Sequence, residues 1–113
     1  MNFKVILTEE ASRFIVSLPV KMQAKIQRTI DLLKEFGYML PKPHSKKLIG
    51  IKDLFELRIK LGNNVCRLFY FHWKNKIYVI TSGYMKKSRK TDQSEIKKAV
   101  NAMNSIKGCD NHE

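Results

Sequence analysis

The feature that most constrains the fold is a change of hydrophobic period in the second half of the chain. Residues 55–61 are apolar at odd positions and charged at even positions, which is the period of two expected of a half-buried β-strand. Residues 62–64 (Gly-Asn-Asn) predict a turn, and the largely apolar residues 65–73 indicate a central strand. After a second turn, residues 77–82 predict a further strand. This half of the chain therefore predicts a three-stranded antiparallel meander.

The first half of the chain predicts one short strand and two helices. Residues 3–7 form the strand, and Thr8 can cap a helix that carries two glutamates in its first turn. Pro19 ends that helix or bends it sharply. A second helix is predicted over 21–36, where apolar residues recur at helical spacing, and Gly37 follows as a left-handed C-terminal residue.

A connection and a last helix complete the chain. Residues 38–47 contain two prolines and are expected to be irregular. Residues 86–90 predict a basic loop, after which Asp92 can cap the last helix, with Glu95 three residues on in the manner of a capping box. Gly108 is the expected end of that helix.

Together these elements predict a single α+β domain over residues 1–113. The element order is β-α-α-β-β-β-α, with an antiparallel sheet, an N-terminal helical hairpin and a C-terminal helix, and residues 108–113 are expected to form a flexible tail. No apolar run approaches the roughly 18–20 residues that span a bilayer, and the N-terminal segment lacks the long apolar stretch of a signal peptide. Two isolated cysteines indicate reduced thiols. We therefore expect a cytoplasmic protein.

Neither a metal site nor a cofactor site is predicted. The three histidines are scattered, and neither cysteine has a partner at the spacing of metal ligands. The chain also holds no Gly-rich phosphate loop and no GxSxG motif.

Positive charge is concentrated in the middle of the chain. Residues 42–90 carry 13 Lys and Arg against two Asp and Glu, a net charge of +11, whereas the whole chain carries +12. Such a concentration costs self-repulsion energy. Polyphosphate backbones are the commonest partners of such a region, because each bound cation releases a condensed counterion.

Three of these cations are expected on one face of the meander. If the first hairpin has a two-residue loop, Arg67 lies opposite Arg58 or Lys60, depending on whether the loop is 62–63 or 63–64, and both registers place all three on the same face. A three-residue loop with a bulge would change this arrangement. Arg58 and Lys60 could simply be solvated, but Arg67 interrupts an apolar run, where a charge must be paired, hydrogen-bonded or functional.

A second basic cluster, residues 84–90, follows the last predicted strand and would lie beside Arg67. Such a site suits RNA cleavage by the 2′-hydroxyl, which needs a base, a leaving-group acid and stabilisation of the phosphorane's charge. Lysines and arginines stabilise charge, a lysine among other cations can become a base, and Tyr84 or a lysine could be the acid. Aromatic residues of the sheet could stack on bases, although such residues are more often part of a core.

The chain resembles the RelE/ParE toxin superfamily, and within it the HigB-like, phage-derived branch. The resemblance covers residues 3–107 and is densest over 54–100. It rests on the element order and on four segments, Leu57-Arg58-Ile59-Lys60-Leu61, Cys66-Arg67-Leu68-Phe69-Tyr70-Phe71, Gly83-Tyr84-Met85-Lys86-Lys87 and Glu95-Ile96-Lys97-Lys98-Ala99.

This resemblance implies a toxin of a type II toxin–antitoxin pair. Such a toxin is a metal-independent, ribosome-dependent mRNA endoribonuclease (an mRNA interferase) that inhibits translation. Its implied partners are a helix-turn-helix antitoxin, mRNA and the 70S ribosome, with no membrane, and a homodimer or a toxin–antitoxin heterotetramer is possible.

The resemblance also implies site residues by position. Arg58 and Lys60 match the basic strand residues that line the mRNA site, and Arg67 matches an arginine that supports the scissile phosphate. Lys86 and Lys87 match a basic pair after the last strand. Two sets summarise the expectation. The catalytic residues are Arg67, Lys86, Lys60 and Tyr84, and the RNA-binding residues are Arg58, Lys60, Lys87, Arg89 and Lys90. The branch usually has Phe at the position of Met85, and the histidines of some HigB-type enzymes have no clear counterpart.

Two other functions remain open on the sequence. A ParE-like protein would share the fold and would poison DNA gyrase by protein contact, although the two basic clusters favour the nuclease. A non-enzymatic nucleic-acid-binding module would satisfy the charge pattern alone. A basic ribosome-associated structural protein is a further alternative.

Overall fold

The computed structural model describes residues 2–40, 44–86 and 92–110. Within these ranges the chain forms five strands, three α-helices and one short 3₁₀ turn. In chain order the elements are β1 (Lys4–Leu7), α1 (Glu9–Val16), α2 (Val20–Phe36), the 3₁₀ turn (Gly37–Met39), β2 (Ser45–Lys47), β3 (Leu54–Leu61), β4 (Asn64–Lys74), β5 (Ile77–Lys86) and α3 (Gln93–Asp110).

The strands form one sheet in the order β1-β5-β4-β3-β2, so that β4 is central, as predicted. The β3–β4 hairpin turns at residues 62–63, because Leu61 pairs with Asn64. Gly62 has a φ of 61°, a left-handed conformation that glycine adopts without steric cost. The two-residue loop confirms the first of the two predicted registers, with Arg67 opposite Arg58.

The sheet is covered on both faces, and each face has its own apolar core. On one face, Leu57, Ile59 and Leu68 pack against the α1–α2 hairpin. On the other, Phe69 and Phe71 pack against α3 through residues such as Ala99. Burying one Leu, Ile or Phe side chain contributes about 1.5–3 kcal/mol, so these two layers fix the sheet between the helices.

Three of the sequence signals at the helix ends are confirmed. Thr8 caps α1, because its hydroxyl oxygen accepts a hydrogen bond from the amide of Ala11 at 3.1 Å. Gly37 follows α2 with a φ of 55°. Asp92 precedes α3, and its carboxylate accepts from the amide of Ser94 at 2.9 Å. These side chains satisfy amides that a helix cannot pair internally.

The α+β class and the order of the predicted elements are confirmed, and three details are corrected. A fifth strand, β2, lies within the predicted connection and pairs with β3. β1 pairs with β5 in parallel, so the sheet is mixed rather than antiparallel throughout. β5 continues to Lys86, four residues beyond its predicted end.

The last helix also differs from its expected length. α3 runs through Gly108 to Asp110, because a single glycine lowers helix propensity without ending a helix. The expected flexible tail can therefore begin no earlier than residue 111, and residues 111–113 lie outside the described part. Two ion pairs hold α3 to its surroundings, Lys98 Nζ to Glu10 Oε2 at 3.0 Å and Lys107 Nζ to Asp53 Oδ2 at 3.2 Å. None of the helices in the described ranges is long and apolar enough to cross a membrane.

Candidate nucleic-acid interface

Four residues from different strands and one loop form a row across the sheet. Arg58 on β3 lies opposite Arg67 on β4, which lies opposite Tyr84 on β5. His44 extends the row past β3, because its carbonyl accepts a hydrogen bond from the amide of Arg58 at 2.9 Å. Neighbouring strands lie about 4.7–4.9 Å apart. The row therefore spans three strand spacings, about 14 Å, from His44 to Tyr84, and only its neighbouring members lie close to each other.

Arg58 and Lys60 lie on the same face of β3 as predicted, and both side chains are exposed. Beyond Arg58 the outer edge of β3 is not covered by β2, whose pairing ends at Ser45 opposite Leu57. Within the described residues, the last part of β3 therefore forms an open edge beside two exposed cations.

Arg67 shares this face but is buried, with only 3% of its side chain exposed. It forms an ion pair with Glu56, whose side chain is 0% exposed, through Nη1 and Oε1. Glu56 lies opposite Phe69 and is thus diagonal to Arg67, within reach of a long side chain. The alternation of residues 55–61 predicted Glu56 on the charged, outward side, but this end of β3 lies on the face whose core holds Leu54, Phe69 and the apolar residues of α3, and Glu56 is buried there.

The buried pair has an electrostatic consequence for the exposed cations. Two arginines directly opposite each other on neighbouring strands repel. Glu56 neutralises the charge of the buried Arg67 and so reduces this repulsion. Arg58 can therefore face solvent beside Arg67, and Glu56 does not compensate the charge of Arg58. The sequence left three possibilities for Arg67, namely an ion pair, a hydrogen bond or a functional role. The structure shows that its charge is paired within the protein and that its guanidinium is not exposed to solvent.

Tyr84 connects the row to the N-terminus of α3. Its ring stacks on Phe69, with centroids 5.8 Å apart and planes 17° from parallel. Its hydroxyl oxygen accepts a hydrogen bond from the amide of Asp92 at 3.2 Å. A phenol that accepts a bond in this way can still donate its own proton. Hydrogen bonds from the Ser94 hydroxyl and amide hold the pKa of the Asp92 carboxyl below its ordinary value.

A groove of about 430 Å³ runs along the open edge of β3. Its lining includes four cationic side chains and one histidine, namely Lys25 and Arg28 of α2, Arg58 and Lys60 of β3, and His44. Leu32, Ile59 and Val65 supply an apolar floor. None of the described residues that line the groove is Asp or Glu, so its charge is positive throughout that lining.

Lys25, Arg28 and His44 are site residues that the sequence did not single out. Lys25 and Arg28 lie one turn apart on α2, a spacing that indicates a shared helix face but not which strand that face meets. His44 was one of three scattered histidines, and only the pairing of β2 with β3 carries it to Arg58.

The remaining predicted site residues lie at or beyond the end of β5. Lys86 is the last residue of β5, opposite Val65, and its side chain is outside the described part. Lys87, Arg89 and Lys90 also lie outside the described residues. The structure thus brings Arg58, Lys60, Arg67 and Tyr84 to one face. Of the second basic cluster, residues 84–90, only residues 84–86 lie in the described part of the chain.

Chemically, the groove can hold a phosphate and move a proton. Lysine and arginine donate charge-assisted hydrogen bonds to phosphate oxygens. An imidazole such as that of His44 is the commonest general acid or base in enzymes. Together these residues can act on an anionic substrate by acid–base chemistry.

Solved structures with the same fold come from toxin–antitoxin systems. An arginine double mutant of the Escherichia coli toxin RelE in the free state is 20% identical, with a TM-score of 0.64, over 89% of this chain and 97% of that one. RelBE2 from Mycobacterium tuberculosis is 20% identical, with a TM-score of 0.58, over 76% and 100%. RelE–RelB from Pyrococcus horikoshii OT3 is 23% identical, with a TM-score of 0.54, over 80% and 100%. At such identities the likeness establishes the fold, which is RelE-like.

Sequence comparison assigns the family. Among curated proteins, none matches the chain significantly. The family described as "Phage derived protein Gp49-like (DUF891)" matches residues 13–104, which is most of the chain and includes α2, the whole meander and most of α3. The chain therefore belongs to the Gp49-like family of phage-derived proteins, on a RelE-like fold.

Proposed function

We propose that this protein is the toxin of a type II toxin–antitoxin system and acts as a ribosome-dependent mRNA endoribonuclease that inhibits translation in the cytoplasm. The observation that carries the proposal is the groove along β3, where Lys25, Arg28, Arg58 and Lys60 surround His44 without a carboxylate in the described lining. The RelE-like fold and the membership in the Gp49-like family support the toxin assignment.

The proposed reaction is attack by the ribose 2′-oxygen on the adjacent phosphorus. The new O–P bond forms as the bond to the 5′-oxygen breaks, leaving a 2′,3′-cyclic phosphate and a 5′-hydroxyl. His44 takes the 2′-hydroxyl proton, and Lys60, which lines the same groove, donates a proton to the 5′-oxygen. Atoms and charges balance without a metal ion or a cofactor.

Arg58 and Lys60 are assigned to the phosphate itself. Their charges stabilise the dianionic phosphorane, which carries more negative charge than the ground-state diester. Arg67, which is buried against Glu56, is assigned a positioning role beneath Arg58 and beside Tyr84. Lys86 and Lys87 are proposed to extend the cationic surface at the end of β5, and Arg89 and Lys90 to bind the RNA backbone.

The decisive variant is Lys60→Gln, because Lys60 is exposed and its loss should not disturb the core. Losing one charge-stabilising donor costs about a hundred- to a thousand-fold in rate in comparable sites. Ground-state RNA binding should fall far less, because the chain carries 22 Lys and Arg in total. Primer extension on mRNA with ribosomes measures cutting, and a filter-binding assay measures binding.

Lys52→Gln is the matched control, since Lys52 is exposed but lies in the turn before β3, outside the groove. It should cut at the rate of the parent protein. If Lys60→Gln cuts as fast as Lys52→Gln, the groove is not the active site. If Lys60→Gln loses cutting and binding equally, Lys60 binds the substrate and does not stabilise the transition state.

The proposed partner is a helix-turn-helix antitoxin that covers the groove with acidic and apolar residues. Several solved structures with this fold are toxin–antitoxin complexes, and complementary charge speeds and orients association. Co-expression with the neighbouring open reading frame should restore growth and yield a co-purifying complex. If no protein encoded by a neighbouring open reading frame relieved the toxicity, the assignment to a type II pair would be contradicted.

A further inference from the structure

A second cavity, of about 570 Å³, is lined by residues that do not line the groove. It opens on the face covered by the helical hairpin, near the β4–β5 turn, and Phe55, Tyr70 and Tyr78 line it. Phe55 lines the cavity and Ile59 lines the groove, and the two residues are four positions apart along β3, which is roughly 13 Å. The cavity is therefore separate from the proposed active site, and its volume falls in the range of about 300–1,000 Å³ usual for small-ligand sites.

Five of the eleven residues that line the cavity are Phe or Tyr. The rings of Phe55 and Tyr70 stack, with centroids 5.5 Å apart and planes 25° from parallel. Those of Phe3 and Tyr78 meet edge-on at 5.3 Å. Tyr38 stands at the mouth, 74% exposed, and its ring meets Phe3 at 6.2 Å. Tyr38 therefore presents an aromatic surface that the core does not require.

The rim of the cavity is cationic. Lys47 and Lys76 lie at its edge, and none of its described lining residues is Asp or Glu. Ser45 and Asn75 add a hydroxyl and an amide that can hydrogen-bond to the edge of a planar ligand. Aromatic walls with a positive rim are the combination that binds a base and its phosphate in single-stranded nucleic-acid sites.

We propose that this cavity binds a nucleobase that carries an anionic phosphate, with the base stacked against Tyr38 and Phe55 and the phosphate at Lys47 and Lys76. An apolar peptide side chain would fill the cavity equally well but would leave two lysines without a counter-charge. A nucleotide uses both features. The same chemistry is offered by a nucleotide within single-stranded RNA and by a free mononucleotide, and the two sources differ in the strength of binding they predict.

The test is calorimetric titration of the purified full chain with four probes: AMP, adenosine, ribose 5-phosphate and a single-stranded oligoadenylate of six nucleotides. AMP should bind more tightly than adenosine and more tightly than ribose 5-phosphate. If RNA is the natural ligand, the hexamer binds more tightly than AMP. If a free nucleotide is the ligand, AMP binds at least as tightly as the hexamer.

The informative variant is Tyr38→Ala, because Tyr38 is exposed and its loss leaves the core intact. This substitution should weaken the binding of AMP roughly 5- to 150-fold, the range found when one stacked aromatic side chain is removed. Met39→Ala is the matched control, since Met39 is the next residue and is 61% exposed but does not line the cavity. It should bind AMP like the parent protein.

The lysines are tested as a pair. The double variant Lys47→Gln/Lys76→Gln should weaken the binding of AMP and leave the binding of adenosine unchanged. The control Lys21→Gln/Lys52→Gln removes the same charge elsewhere and should change the binding of neither ligand. AMP binding that is unaffected by Tyr38→Ala would overturn the proposal. If Tyr38→Ala weakened the binding of a protein antitoxin and not that of AMP, the cavity would be assigned to peptide binding. That result would equally overturn the proposal. Lys60→Gln should retain full AMP binding, so failure of the nuclease proposal and failure of this one are distinguishable.

Discussion

Arg67 and Glu56 show how one residue can serve a site without facing the substrate. A buried ion pair that loses one partner leaves an uncompensated charge, which costs about 3–5 kcal/mol. Small domains have about 5–15 kcal/mol of stability in total. Loss of activity in Arg67→Ala would therefore report folding as much as chemistry.

The pair makes a stability prediction. Arg67→Ala should lower the free energy of unfolding by about 3–5 kcal/mol, measured by urea titration. The double variant Glu56→Leu/Arg67→Met removes both charges at similar volume and should recover most of that loss, as replaced buried pairs commonly do. An additive double variant would show that Glu56 does not compensate Arg67. A partial loss of mRNA cleavage in the double variant would support the positioning role, whereas a loss as deep as in Lys60→Gln would assign Arg67 to the phosphate.

Two buried weak acids predict sensitivity to alkali. Burial raises the pKa of the Cys66 thiol from its ordinary 9.0 to about 12. It likewise raises the pKa of Tyr70 from 10.0 to about 12, against a smaller lowering from the hydrogen bond with Ser45. The unfolded chain therefore binds fewer protons than the folded chain between about pH 9 and 12. Its free energy of unfolding should fall as the pH rises through that window.

Urea titrations at pH 8 and pH 11 measure this fall. Cys66→Ala removes one of the two acids and should show a smaller loss of stability between the two pH values, although its stability at pH 8 is reduced by the smaller side chain. An equal loss in the parent protein and in Cys66→Ala would contradict the assignment to Cys66.

At the scale of elements, the contact between β5 and α1 depends on the absence of a side chain at Gly83. A Cβ there would lie 2.8 Å from Phe14 Cε2 and 2.9 Å from the backbone oxygen of Arg67, and closer still to Leu68 Cδ2. Overpacking of this kind typically costs about 1–3 kcal/mol. Gly83→Ala should therefore lower the free energy of unfolding by about that amount, measured by urea titration.

Gly108 offers the matched control within α3. A Cβ at Gly108 would meet nothing within 4 Å, and alanine is favoured over glycine in a helix by about 0.8–1.0 kcal/mol. Gly108→Ala should therefore leave stability unchanged or raise it. Equal destabilisation by both substitutions would contradict the packing described for β5.

The same elements show what the sequence could and could not predict. Period two identified β3 and β4, and it placed Arg58, Lys60 and Arg67 on one face. The three residues of β2 are too few to show a period, so the strand was missed. The end of β5 was placed too early because Gly83 interrupts the β pattern, whereas in the fold it is required by Phe14.

The limits at the site have the same physical origin. Alternation assigned Glu56 to the charged side of β3, and only the packing of α3 shows that this side is buried there. His44, Lys25 and Arg28 join Arg58 through contacts between segments that are distant in sequence. Local pattern carries no information about such contacts, whereas the antitoxin and nuclease expectations came from resemblance to a family.

At the scale of the whole molecule, a net charge of +12 is expressed in two separate cationic sites on one small domain. One is the groove at the open edge of β3, and the other is the rim of the aromatic cavity near the β4–β5 turn. Charge of one sign distributed in this way attracts polyanions from a distance and speeds their encounter. Attraction alone does not cut RNA, however, and the proposed chemistry rests on the groove.

The most direct test of that chemistry compares three reactions of the full chain. Purified protein is incubated with mRNA alone, with mRNA on 70S ribosomes, and with DNA gyrase and supercoiled plasmid. Primer extension detects RNA ends, and gel electrophoresis detects gyrase-linked DNA breaks. The proposal predicts new mRNA ends only in the reaction with ribosomes, and their loss in Lys60→Gln but not in Lys52→Gln. Gyrase-linked breaks without mRNA cleavage would contradict it and would identify a ParE-like gyrase poison.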